Sequence, residues 1–506
     1  MIGVHELVMD SVLLMFVIPA AMVFFDGFSR HGTTLAESAA YSTLSVIMVL
    51  SWLAQIIVLA GWVNAYLPAI LSLSVLSLAR LYACRRRYLP YLRSVYRFSG
   101  QHRLVAVGLL MVWGYVLVRS TLGMTGSDEA ADIFWQWAQE HPESVLVQWP
   151  HPIPVLNHLI FSAPWQPAIA TPLARLAASV TIGCGTYALA RRYAWPSMAA
   201  TVALLVAGMP RLVSQTVAGG TELTAAASAL VAILALYRLI EKPAGFDAVL
   251  LLAAISFTAE NGRFCFLIVI VLLSLSGFLL VRRHGASWFW QKGRMPYRQL
   301  IIALLAVAVF SQAVAISANL FRGLPWIGAS PHLTAIFNAD PLLGTVGNLA
   351  RYLILSIDFP HWVDGLSQTL FGLKASAGLE LLYHRAVTDH IGAEGAAAAF
   401  SVVPGDGAAP TWFGLVGFLL VLPSVAMSLW RGPRRLKATA LAMVAYWVLV
   451  SLIAAWQPQN VRLLTVFFVC SGFFMAFFLP PWRIGYKARL FLQAIGIIQI
   501  VYVLLV

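Results

Sequence analysis

The sequence predicts an all-α polytopic membrane protein, with about 14 transmembrane helices and two large outer loops that carry interfacial helices. Three observations lead there. Of 506 residues, 60% are hydrophobic and only 10% charged, with a mean hydropathy of +0.82; a soluble domain carries about 25% charged residues. Apolar runs of about 20 residues, the length that crosses a bilayer, recur along the whole chain. The cations between those runs fall mostly on alternate loops. A soluble enzyme, a disordered regulator and a disulfide scaffold are thereby excluded.

In chain order the expected spans lie near 9–26, 41–60, 67–84, 104–121, 170–190, 197–213, 222–240, 246–259, 263–281, 299–319, 411–430, 437–456, 462–480 and 488–506. The third and eighth are short enough to be arms of half-buried hairpins. The first is no cleavable leader, because its flank, MIGVHELVMD, is acidic rather than basic. With the arginine-rich segment 85–103 placed in the cytoplasm, alternation fixes every other loop. Basic residues then populate each cytoplasmic loop, as the positive-inside rule requires. Only Asp26, Glu37, Glu241 and Asp247 are acids on that side. The outer cations are Arg119, Arg175, Arg211, Arg263, Arg322, Arg351, Lys374, Arg385 and Arg462.

The net charge of +13 does not point to nucleic acid, since the basic residues sit in short runs between apolar stretches rather than on a solvated domain. Cys84, Cys184, Cys265 and Cys470 have neither metal-ligand nor disulfide-framework spacing. The cytoplasmic loops are too short for a nucleotide-binding domain, and the chain carries no Walker or dinucleotide motif. Two polar segments are long enough to fold, 122–169 and 320–410, and both fall on the outer face. Within the second, 341–357 is apolar, but one more crossing there would invert everything after it. It is read as an interfacial helix.

The first outer loop opens with Ser127-Asp128-Glu129. Ser127 is placed to cap a short helix starting at Asp128, on which Asp128 and Asp132 share a face at i, i+4. A carboxylate at the membrane surface, wet on one side and dry on the other, suits a general base. The same acids also suit plain solvation of a loop, and composition does not separate the two.

Further residues carry a resemblance. After a span come Gly126-Ser127-Asp128-Glu129, then a helix, then Trp149-Pro150-His151-Pro152-Ile153-Pro154 ahead of an amphipathic stretch. Gly220-Thr221-Glu222 opens another span, TAENGRF forms a short outer turn at 258–264, and WQPQNVRLL follows at 456–464. This order resembles the polyprenyl-phosphate-sugar-dependent glycosyltransferases of the GT-C superfamily, in particular the protein O-mannosyltransferase and lipid A aminoarabinose transferase branch. The likeness spans roughly 104–480. It departs at His151-Pro152-Ile153-Pro154, where the family pattern has His-Pro-Pro-Leu, and the first hundred residues lie outside it.

The resemblance implies a GT-C-like fold and a single displacement with inversion, from a polyprenyl-phosphate sugar in the bilayer to an acceptor hydroxyl on a protein, glycan or glycolipid. Asp128 is the expected base, with Glu129 orienting it. The departing lipid phosphate gains charge and needs cations, and Arg462, Arg119 and Arg351 are the candidates. Arg462 sits in a short polar turn between apolar spans. An ionised side chain costs about 2.5–3.5 kcal/mol at full membrane depth, and a phosphate at about 4 Å would return about 4 kcal/mol at an effective dielectric of 20. Asp132, His151, His158, Glu222, Glu260 and Arg263 are expected to line the substrate cavity. Asp128, Asp132, His151 and His158 also have the chemistry of a divalent-metal site, but His-Pro loops are more often structural and no metal is assigned. Trp135, Trp137, Trp149, Trp165, Trp326 and Trp362 read as interface anchors.

The expected organisation is an N-terminal extension (1–103), a catalytic core (104–319), the second outer loop (320–410) and C-terminal spans (411–506). The expected setting is a bacterial inner membrane with the site facing the periplasm. Two rivals remain: a ligase or polymerase of the O-antigen type using a polyprenyl-diphosphate glycan, and a lipid or saccharide flippase. A flippase has no evident use for two large outer loops and places its key charges near mid-bilayer.

Overall fold

The computed structural model describes residues 18–59, 66–83, 85–121, 170–216, 222–261, 265–285, 341–356, 361–388, 413–456, 458–479 and 485–505. These are overwhelmingly helical, with no strand among the described residues, so the all-α class holds. Among the described residues, five helices are long and apolar enough to cross a membrane: Glu222–Glu241, Cys265–His284, Gly414–Arg431, Arg434–Ile453 and Tyr486–Leu504. The expected span at 299–319, loop 122–169 and most of loop 320–410 lie outside the described residues.

In chain order the helices are α1 (Ile18–Ser29), α2 (Leu35–Leu59), α3 (Tyr66–Ala83), α4 (Arg85–Gln101), α5 (Arg103–Thr121), α6 (Ala170–Ala190), α7 (Pro196–Ala207) and α8 (Pro210–Gln215). Then follow α9 (Glu222–Glu241), α10 (Gly245–Glu260), α11 (Cys265–His284), α12 (Pro341–Ser356), α13 (His361–Phe371) and α14 (Ala375–Tyr383). The last are α15 (Gly414–Arg431), α16 (Arg434–Ile453), α17 (Leu464–Gly472), α18 (Met475–Phe478) and α19 (Tyr486–Leu505).

Helix α9 is the centre of the bundle, packed against α2, α6, α10, α11 and α17. The sequence explains why. Ala225, Ala226, Ala227, Ser228, Ala229, Ala232 and Ala235 give it small side chains on every face, and small residues let helix backbones approach closely where lipid supplies no hydrophobic drive. Ser228 Oγ lies 2.7 Å from Thr258 Oγ1 of α10, a polar tie inside an apolar contact.

Two expected spans are broken. The stretch 197–213 divides into α7 and α8 because Pro210 has no backbone N–H and holds Met209 in an extended conformation (φ −59°, ψ 130°). The stretch 462–480 divides into a 3-10 turn (Pro458–Leu463), α17 and α18. Gly472 lies beside the first break, where any Cβ would collide with Val206 of α7. The segment 85–103, expected as a basic loop, is mostly the helix α4.

The two ends of the bundle are chemically distinct. At one end Arg192 bridges Glu37 (3.0 Å) and Glu241 (3.1 Å). Arg238 bridges Glu37 (2.9 Å) and Asp247 (3.0 Å), Arg435 reaches Glu241 at 3.6 Å, and Asp26 pairs with Arg30. These are the four acids assigned to the cytoplasmic side, so residues far apart in sequence meet where the charge pattern groups them. An isolated exposed pair contributes about 0–1 kcal/mol, but arginines that each join two carboxylates also tie α2, α6, α9 and α10 together. In the break between α4 and α5, burial and then the charge of Arg489 hold the His102 imidazole below the usual histidine range.

Candidate active site

Glu222 and Glu241 mark the two ends of α9, about 30 Å apart for a helix of this length. Glu222 therefore belongs to the end opposite the ion network, where the sequence places the outer loops. It stands in the first turn of α9, where the helix dipole favours an anion.

Glu222 is buried, and its Oε1 accepts from Arg462 Nε at 2.9 Å. Arg462 comes from the 3-10 turn Pro458–Leu463 and keeps 45% of its side chain exposed. Two more arginines, Arg175 of α6 and Arg211 of α8, are buried within Coulombic reach of the same carboxylate. Glu222 is thus a shared counter-ion for three cations. Among the described residues its Oε2 is buried without a hydrogen-bond partner, as is Gln215 Nε2 of α8, while Gln215 Oε1 accepts from Thr465 at 3.0 Å.

Arg351, on α12, sits against Trp456, two residues before the turn that carries Arg462. Helix α12 packs against α16, and Asn348 Nδ2 donates to the carbonyls of Ser451 (3.0 Å) and Ala454 (2.9 Å), which the end of α16 would otherwise leave unsatisfied. Asn348 Oδ1 accepts from Arg351 Nη1 at 2.9 Å. The guanidinium sits 5.4 Å from the Tyr383 ring centre and 5.5 Å from that of Trp456, within cation–π range. Arg351 is only 2% exposed, and no carboxylate pairs with it among the described residues. Its Nε and the neighbouring Tyr352 hydroxyl are buried without hydrogen-bond partners among the described residues.

Of the residues expected to line the cavity, the structure joins Glu222 with Arg462 and buries Glu260 at the last turn of α10, the same end of the bundle. Asp128, Glu129, Asp132, His151, His158 and Arg263 lie outside the described residues, and so do the residues weighed for a metal. Arg119 falls in the last turn of α5, with its side chain outside the description. Arg175 and Arg211 were counted as outer cations but not singled out. An arginine within an apolar run is itself a pointer to function. Asn348, Tyr383 and Trp456, which hold Arg351 in place, give no such signal, because their meeting depends on tertiary packing.

Among the buried charges described at this end, three arginines, Arg175, Arg211 and Arg351, stand against two carboxylates, Glu222 and Glu260, with the half-exposed Arg462 beside Glu222. Buried orphan polar atoms call for an explanation, and a cation surplus in a low-dielectric setting suits a multiply charged anion. Comparison with protein-family models, curated proteins and solved structures finds no match.

Proposed function

We propose that this chain is an integral membrane glycosyltransferase with a GT-C-like fold. It moves a sugar from a polyprenyl-phosphate donor to an acceptor hydroxyl at the periplasmic face of a bacterial inner membrane. The observation that carries the reading is Arg351, a buried cation in an aromatic cage with no carboxylate partner among the described residues. A buried charge without compensation is costly, and a lipid phosphate supplies the missing anion. Arg462, Arg211 and Arg175, around Glu222, add the charge that stabilises the phosphate as it leaves. Asp128, in the loop after α5, takes the proton of the acceptor hydroxyl, and Glu129 orients it. One displacement inverts the anomeric carbon.

A diphosphate-linked glycan donor would use the same cations, so donor identity separates that rival. The flippase reading draws support from the breaks at Gly208-Met209 and Phe473-Phe474, since transporters build their sites on interrupted helices. Those breaks are flanked by Val206, Ala207, Phe473 and Phe474, and the arginines gather at one end of the bundle instead. That distribution favours the enzyme.

Orientation is the first test. Cysteines introduced at Gly126 and Gly405 should react with an impermeant thiol reagent from outside, and one at Gly293 only from inside. Outside labelling at Gly293 overturns the orientation and the periplasmic site with it.

A further inference from the structure

Helix α4 is joined to the apolar helices α3 and α5 through single residues, Cys84 and His102. It runs along the end of the bundle that carries the ion network. Tyr91 hydrogen-bonds Ser29 at the end of α1 (2.8 Å) and stacks edge-on against Phe25. Phe98 packs on Tyr187 near the end of α6. His102, at its far end, feels the charge of Arg489 in the first turn of α19. A helix that touches the ends of α1 and α6 and comes within Coulombic range of the start of α19 lies along the rim, in the plane of a membrane surface.

Its faces divide three ways. Tyr88 is buried, and Tyr91, Ser94 and Phe98 are partly turned into the bundle. Leu89, Leu92 and Tyr96, at i, i+3 and i+7, form an exposed apolar stripe with Val95 beside it. Arg93 and Arg97, one turn apart, are exposed along its flank. Arg85 is also exposed and lies 4.4 Å from the centre of the Tyr82 ring. The helix contains no acidic residue, and no carboxylate among the described residues pairs with these three arginines.

We propose that the outer face of α4 is a binding surface for acidic phospholipids of the leaflet at this end of the bundle. The apolar stripe enters the boundary between headgroups and acyl chains, as amphipathic surface helices do. Arg85, Arg93 and Arg97 extend their stems over that stripe and place their charges among lipid phosphates. Charge complementarity selects the occupant: an unpaired row of arginines beside exposed leucines, on a rim that the flanking helices hold against the membrane. The surface is independent of the site at the opposite end.

The test uses the full-length protein in nanodiscs of equal phosphatidylglycerol and phosphatidylcholine, with retained lipids counted by native mass spectrometry. Phosphatidylglycerol should be enriched, and the enrichment should fall as salt is raised. Each arginine near an acidic surface is worth about five-fold in affinity. Arg93→Gln with Arg97→Gln should therefore cut the preference by roughly twenty-fold. Arg93→Lys with Arg97→Lys should keep most of it, and Arg282→Gln with Arg283→Gln, at the end of α11, should leave it unchanged. Wild-type preference in the glutamine variant overturns the proposal. So does equal loss in the α11 control, which assigns the effect to bulk charge, and so does absence of enrichment in the wild type, which points to a protein partner.

Discussion

Asp128→Asn should lower glycosyl transfer by about 10²–10⁴-fold while donor binding stays near normal. The substitution keeps the size of the side chain and much of its hydrogen bonding, but an amide does not accept the hydroxyl proton. The position motivates the claim. In the sequence Asp128 comes seven residues after the end of α5, near the expected outer surface, where an acceptor from the water and a donor from the bilayer can meet. Asp132→Asn, four residues on, should cost far less if that residue only solvates this segment. Glu129→Gln separates two versions of the idea, because a loss as large as that of Asp128→Asn would mean that the pair works as a unit, and such effects are not additive. Single-turnover transfer beside equilibrium donor binding reads all three. Wild-type turnover in Asp128→Asn refutes the assignment and moves the search to Glu222 and Glu260.

Arg351→Met should separate binding from stability in an unusual direction. Truncating one member of a desolvated, hydrogen-bonded charge pair costs about 2–5 kcal/mol of binding, which is roughly 30- to 5,000-fold in donor affinity by the usual 1.4 kcal/mol per decade. The apo protein, however, loses a buried cation that no carboxylate balances among the described residues. Replacing buried charges by apolar groups of similar volume is often neutral or stabilising. The thermal midpoint of the purified protein should therefore hold or rise while donor binding collapses. Arg351→Lys should recover only part of the affinity, since lysine keeps the charge and loses the planar fork. A falling midpoint with normal donor affinity would make Arg351 a packing residue of the α12–α16 contact.

Arg462 takes a different place from the one its sequence position suggests. Read alone, it is a lone cation in a polar turn, and an anionic ligand is the natural partner. In the structure Glu222 already neutralises it at 2.9 Å, with Arg175 and Arg211 sharing the same carboxylate. The surplus of charge therefore belongs to the group rather than to Arg462. Such sharing follows from the break at Pro210, which sets Arg211 on a separate short helix beside the turn of Arg462.

Much of the architecture is legible in composition and period. The alanine-rich run from Glu222 to Glu241 is apolar on every face, which is what a central helix needs, and its charged ends already separate the two sides. The grouping of Asp26, Glu37, Glu241 and Asp247 at one end follows from loop alternation alone. Helix α4 is hidden in the sequence because the five arginines of Arg85–Gln101 lower its mean hydropathy, masking Leu89, Leu92 and Tyr96 at helical spacing. Gly208-Met209-Pro210 is a breaker sequence, and the apolar residues on either side of it mask the interruption of 197–213. The cage around Arg351 was not legible at all. Trp456, Tyr383 and Asn348 are ordinary residues in sequence, and only the packing of α12 on α16 brings them to one guanidinium.

The central proposal is a lipid-phosphate-linked sugar as the ligand of the arginine-rich end. Organic extraction of the protein purified in mild detergent, followed by mass spectrometry, tests this most directly. The expected result is a polyprenyl monophosphate carrying a single sugar, retained by the wild type and by Asp128→Asn and lost from Arg351→Met. A diphosphate-linked glycan in its place, or a phospholipid retained equally by the wild type and Arg351→Met, would contradict it.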